Sequence, residues 1–182
     1  MSDFQFDITK EEKTYLKQLA FLSIKSKFDK TVILPEPPTE KMREKLGAFV
    51  TLKIEKRLRG CIGHIVGDLP LWKTIKQMAS QAAFNDPRFP PLTEAELSAV
   101  AMEISILSPL ESLDDPEKLV PGRHGLFVRK GSASGLLLPQ VALEWGWDRK
   151  TFLAHTCRKA GLAEGCWKDT DTELYWFQAV VF

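Results

Sequence analysis

Only three cysteines occur in 182 residues, Cys61, Cys157 and Cys166. An odd, irregularly spaced set does not make the disulfide framework of a small secreted domain and points to a reducing, cytoplasmic compartment. Long apolar runs are absent as well, since none approaches the ~20 residues that a membrane-spanning helix needs. The opening stretch "MSDFQFDITKEEK" has neither the basic start nor the apolar segment of a secretory signal. Charge of one sign is also missing. With 25 basic and 24 acidic side chains the formal net charge is +1, so no whole-molecule field draws in nucleic acid or an anionic membrane. There is no Cys-x-x-Cys pair. His155 and Cys157 sit two apart on a predicted helix, roughly 200° around its axis, where they cannot ligate one ion together. What remains is an ordinary globular composition, in a chain long enough to bury a core without metal or cross-link.

The elements present do not alternate strictly. Thr9 and Glu12 form a capping box ahead of Tyr15, Leu16, Leu19, Leu22 and Ile24, which predicts a helix over about 10–27. The proline-rich "LPEPPTEKM" ends it. "LGAFVTLKIEKRLRGCIGHI" reads as two strands with a turn near Glu55–Lys56, Ala48, Val50, Leu52 and Ile54 alternating with Phe49, Thr51 and Lys53. A second helix follows, with Asp68 as its expected cap and Pro70 in its first turn. "NDPRFPPLTEAEL" turns repeatedly, and "VAMEISILSPL" is a strand. Beyond a loop-rich stretch come a short strand at Gly125–Arg129, a buried strand, and a short helix between Pro139 and Gly146. A long helix runs from a cap at Asp148 to Gly161, and "TELYWFQAVVF" closes the chain as a strand. Meandering strands with interleaved helices indicate an α+β fold with antiparallel sheet.

Chemistry concentrates at "RLRGCIGH", residues 57–64. On a regular strand Arg59 and Cys61 share a face, where the guanidinium would favour the thiolate, and Arg57 follows along that face. Two glycines in so short a strand invite a bulge that upsets this parity. His64 or His124 would supply a base. The bland alternative makes Cys61 a small buried hydrophobe in a hairpin. Gly60-Cys61-Ile62-Gly63 matches the GxxG loop of KH domains only formally, because that loop joins two helices. In "AFNDPRFPPL" prolines hold Asp86 and Arg88 on a stiff support, suited to an ion pair or a site. Cys157 falls in line with Leu153, Thr156 and Ala160, as a packed thiol, and Cys166 receives no role.

The hexapeptide "LRGCIG" at 58–63 resembles the hallmark of the AMMECR-one domain family, and "AFNDPRFPPL", "EISILSPL", "HGLFV", "GLLLPQVALEWGWD" and "FLAHTCRKAGL" follow in that family's order. The resemblance runs from about residue 10 to 182 and implies one domain of two lobes. The larger carries an antiparallel sheet built from both chain ends, and the smaller comes from the middle. It further implies a cytosolic protein of the AmmeMemoRadiSam system, acting with Memo-like and radical-SAM proteins, and it supplies no proven catalytic residue.

Two functional classes follow. In the first the chain is an enzyme or small-molecule binder, with Cys61, Arg59 and His124 as catalytic candidates. Gly60, Gly63, Asp86, Arg88 and Glu103 then line the substrate, and no metal or cofactor is assigned. In the second it is a non-catalytic module whose hexapeptide face binds a protein partner or nucleic acid. Nucleic acid is disfavoured, because no aromatic-basic platform is visible.

Overall fold

The computed structural model describes residues 6–182. Residues 1–5, where the reading of the N-terminus as free of a signal sequence begins, lie outside the described residues. In chain order the first elements are α1 (Lys10–Lys25), β1 (Ala48–Ile54), β2 (Arg57–His64), α2 (Leu71–Phe84), β3 (Ala101–Leu107) and β4 (Glu111–Ser112). Then follow β5 (Gly125–Lys130), β6 (Ala133–Leu137), α3 (Pro139–Trp145), α4 (Arg149–Lys159), β7 (Glu173–Phe177) and β8 (Ala179–Val181). The fold is α+β, with two antiparallel four-stranded sheets. The chain divides into two compact units, one of 6–107 with Val180–Phe182, the other of Ser108–Ala179.

The first unit holds the sheet β2-β1-β3-β8. Its hairpin turns at Glu55 and Lys56, which have φ of 50° and 65°. Positive φ at both central residues is the two-residue turn whose twist matches the flanking strands. Ala48, Val50, Leu52, Ile104 and Ile106 are fully buried and share one face of β1 and β3. The apolar stripes of α1 (Leu16, Leu19, Ile24) and α2 (Leu71, Ile75, Ala79) are buried with them. The capping box at the start of α1 is present, with the Thr9 hydroxyl accepting from the Glu12 amide and Glu12 accepting from the Thr9 amide. Asp68 does not cap α2. The helix starts one residue after Pro70 with no side-chain cap, and Asp68 bonds the His64 ring at 2.7 Å instead.

The second unit holds the sheet β4-β7-β5-β6, with α4 packed against β5 and β6. Its core gathers Leu119, Leu126, Val128, Phe152, Leu153 and Cys157. Asp148 caps α4 by accepting from the Thr151 amide. Here two expectations are corrected. Cys157 is not a free packed thiol, because it forms a disulfide with Cys166. A tight loop brings the two Cα atoms to 6.1 Å, inside the range a disulfide spans. That pairing removes the cysteine argument for a reducing compartment. The closing segment is not one strand either. It breaks at Gln178, whose amide donates to the Ser108 hydroxyl and whose carbonyl accepts from the Ser108 amide, so β7 and β8 enter different sheets.

Candidate functional site

A single extra residue decides which way Cys61 points. From the two-residue turn, Ile54 pairs with Arg57 and Lys53 with Leu58, and continued regularly this register would set Leu52 against Arg59 and Val50 against Cys61. Leu52 pairs with Gly60 instead, and Thr51 with Cys61, so Arg59 is the unpaired residue of a bulge. A one-residue slip exchanges the faces of a strand. The bulge therefore puts Gly60 on the core face beside Leu52 and turns Cys61 to the opposite face, in a row with Thr51 and Glu103.

β2 is the edge of its sheet, and the outward peptide groups of Cys61 are capped by side chains rather than by another strand. The Cys61 amide donates to Asp86 Oδ2 at 2.8 Å, and Arg88 Nη2 donates to the Cys61 carbonyl at 3.1 Å. Asp86 also accepts from the Arg88 amide (3.1 Å), Nε (2.9 Å) and Nη2 (2.7 Å), and its side chain is fully buried. The short turn at Asp86-Pro87-Arg88 lets one carboxylate hold both partners. Arg88's side-chain bonds foremost hold the Asp86 carboxyl down to about 2; burial opposes this, and the Cys61 and Arg88 amides assist. Arg88 is correspondingly shifted up, first by Asp86 and, among smaller contributions, by the nearby Cys61 side chain. Half of the Arg88 side chain is exposed. The Cys61 thiol, free and half-buried, accepts from the Thr51 hydroxyl at 3.2 Å.

The other candidates take other partners. Arg59 grips the loop that follows α2: Nε and Nη2 bind the Glu96 carboxylate at 2.7 and 3.1 Å, and Nη1 binds the Pro90 carbonyl at 2.9 Å. Arg59 foremost, then the Thr93 amide, pull Glu96 down to about 2. Arg88, not Arg59, is the cation beside Cys61. A Cβ on Gly60 would stand 2.1 Å from the Ala82 carbonyl oxygen, so this glycine seats α2. A Cβ on Gly63 would stand 2.2 Å from the Phe49 ring. Neither glycine leaves an open floor for a ligand. Glu103 shares the thiol's face and pairs with Lys53 at 3.1 Å. His64 pairs with Ala48 and so lies on the face opposite Cys61. His124 belongs to the second unit, where the residue is 4% exposed and its ring accepts from the Val120 amide through Nδ1 and packs edge-on against Trp176.

The AMMECR1 family profile matches residues 17–182, which include the bulged strand and both segments that clamp it. The chain belongs to the AMMECR1 family. A protein of Nanoarchaeum equitans is 46% identical over 156 residues, covering 82% of this chain and 87% of its own. One from Methanopyrus kandleri is 44% identical over 185 residues, covering 96% and 89%. The crystal structure of an uncharacterised Pyrococcus horikoshii protein superposes with a TM-score of 0.88 at 42% identity, over 97% of this chain and 93% of that one.

Two contributors in this AMMECR1-family chain escape a reading by motif. Thr51 touches the thiol only because the bulge shifts the hairpin register, and Glu96 is the true partner of Arg59. Alternation put Thr51 on a face, but no local signal set its partner. No group of three or more His, Cys, Asp or Glu able to hold a metal ion occurs among the described residues, and no helix there is long and apolar enough to cross a membrane.

Proposed function

We propose that the chain is a small-molecule enzyme or ligand-binding protein whose site is the face of the first sheet around Cys61. One observation carries this reading. A bulge turns the free thiol away from the core, while Asp86 and Arg88 lock its backbone and a guanidinium is left beside it. A fixed thiol with a neighbouring cation suits attack on, or capture of, a small electrophile. Cys61 acts as the nucleophile or ligand-binding group, Thr51 orients the sulfur, and Arg88 holds the ligand. The physiological setting is an assembly with a Memo-like and a radical-SAM protein. Purification from the native cell, with bound small molecules and proteins identified by mass spectrometry, tests both parts. A ligand retained by the wild type and lost from Cys61→Ala supports the site; a ligand held equally by both refutes it.

A second reading draws on Leu58, 42% exposed and in register with Lys53 on the same face. An apolar residue there suits a protein partner, and the face would then bind without chemistry. In the same purification, a stoichiometric protein lost from Leu58→Asp, with no small molecule present, would favour it.

A further inference from the structure

A guanidinium carries five N–H donors in a rigid fork. In Arg88, Nε and Nη2 serve Asp86 and the Cys61 carbonyl, while Nη1 has no hydrogen-bond partner among the described residues. The side chain is 51% exposed, yet it is not loose: the buried Asp86 carboxylate holds it by two bonds, and the guanidinium lies over the Phe89 ring. The pair is neutral as a whole but polarised. Its negative end is buried and fully used, with four bonds accepted by Asp86, and its positive end faces solvent beside the thiol. Lys53 and Glu103, also in register on this face, pair with each other at 3.1 Å. A clamp for strand β2 needs only Nε and Nη2, so the remaining donors are surplus to structure. Arginine presents such donors to carboxylates and phosphates.

We propose that Arg88 is the anion-recognition residue of the Cys61 site, and that the site's ligand is a small molecule carrying a carboxylate or phosphate next to the group that meets the thiol. This rests on the reading of Cys61 as a site open to small electrophiles, and the test separates the two. Iodoacetate and iodoacetamide differ in charge but hardly in size. Either reacts by bond formation between the thiolate sulfur and its methylene carbon; the carbon–iodine bond breaks, iodide leaves with the electron pair, and the thiol proton passes to solvent. The full chain is treated with each reagent at low salt without reductant, alkylation of Cys61 is followed by intact mass, and glutathione serves as the reference thiol. Because access to the thiol affects both reagents alike, the iodoacetate-to-iodoacetamide rate ratio reports the anion preference alone.

The ratio in the wild type should exceed that of glutathione by about tenfold, the scale of one charge-assisted contact. It should fall to the glutathione value in Arg88→Gln and be partly retained in Arg88→Lys. On the unaltered chain, millimolar inorganic phosphate should slow iodoacetate more than iodoacetamide, a measurement independent of any variant's folding. A wild-type ratio equal to that of glutathione, a ratio unchanged in Arg88→Gln, or no selective effect of phosphate would overturn anion recognition and leave the thiol site standing. No alkylation of folded wild type by either reagent would overturn the site itself, and this inference with it.

Discussion

Replacing Asp86 by Asn removes one charge and leaves the shape of the clamp. The carboxyl lies at about 2 instead of its ordinary 3.8. At 1.36 kcal/mol per pH unit the folded state therefore favours the charged form by roughly 2 kcal/mol. An asparagine amide would also turn an NH2 group toward donors that now find an acceptor. The expected loss is thus about 3 kcal/mol at neutral pH, the lower end of what breaking a buried pair costs. For a chain of this length that is a fall in melting temperature of roughly 6–12 °C. The sign of the pH dependence follows from the depressed value. Asp86 contributes its full stabilisation above about pH 4 and loses it as pH falls toward 2, so wild type and Asp86→Asn should converge across that window. A local readout accompanies the melt, because the Cys61 amide donates to Asp86 and should exchange with deuterium faster in the variant. Equal melting at pH 7, or a difference that persists unchanged at pH 2, would refute the claim that this carboxylate holds the edge of the sheet.

Gly60→Ala should be the more damaging of the two glycine substitutions, at about 3 kcal/mol, because the new methyl would meet the rigid backbone of α2 at Ala82. Gly63→Ala pushes on a side chain instead, so it should cost less and be partly relieved in a Phe49→Ala background; equal costs measured by urea unfolding would contradict this packing. Alkylation of the denatured, unreduced protein should modify Cys61 alone, and Cys166→Ala should cost about 2–3 kcal/mol for a bridge closing so short a loop. Three alkylated cysteines in the freshly isolated protein would exclude the disulfide.

The α+β class and most elements were legible because their causes are local. The capping box of Thr9 and Glu12, the alternation from Ala48 to Ile54 and the cap at Asp148 each depend on residues a few positions apart. The features that shape the site depend on distant contacts. Whether β2 bulges is decided by Gly60 meeting Ala82, 22 positions on, and by Arg59 reaching Glu96, 37 positions on. Asp86 and Arg88 were legible as a supported pair, but not as the cap of the Cys61 peptide. The disulfide escaped for the same reason. A count of three cysteines argues against a framework, but it does not forbid one bridge where a helix end and a following turn meet. Asp68 has the residue type and position of a cap, but a competing local partner, His64, takes its carboxylate.

In the hexapeptide, Arg59 ties down the loop, Gly60 admits α2, Ile62 lies on the core face and Gly63 sits under Phe49, so packing accounts for four of its positions. The Cys61 backbone also has a packing role, but its side chain has none that requires sulfur. Were Cys61 a buried hydrophobe, the regular register would serve it better, by facing it to the core beside Val50. Serine at this position keeps the size and can keep the bond to Thr51, which stands 3.2 Å away. Cys61→Ser should therefore change stability by less than about 1 kcal/mol, as for a partly exposed site without a cavity. It should also abolish any retained ligand, because a serine hydroxyl lacks the thiolate's nucleophilicity. A serine variant that melts several degrees lower while keeping its ligand would mean the thiol is packed after all. The bulge would then exist only to let α2 approach the sheet at Gly60.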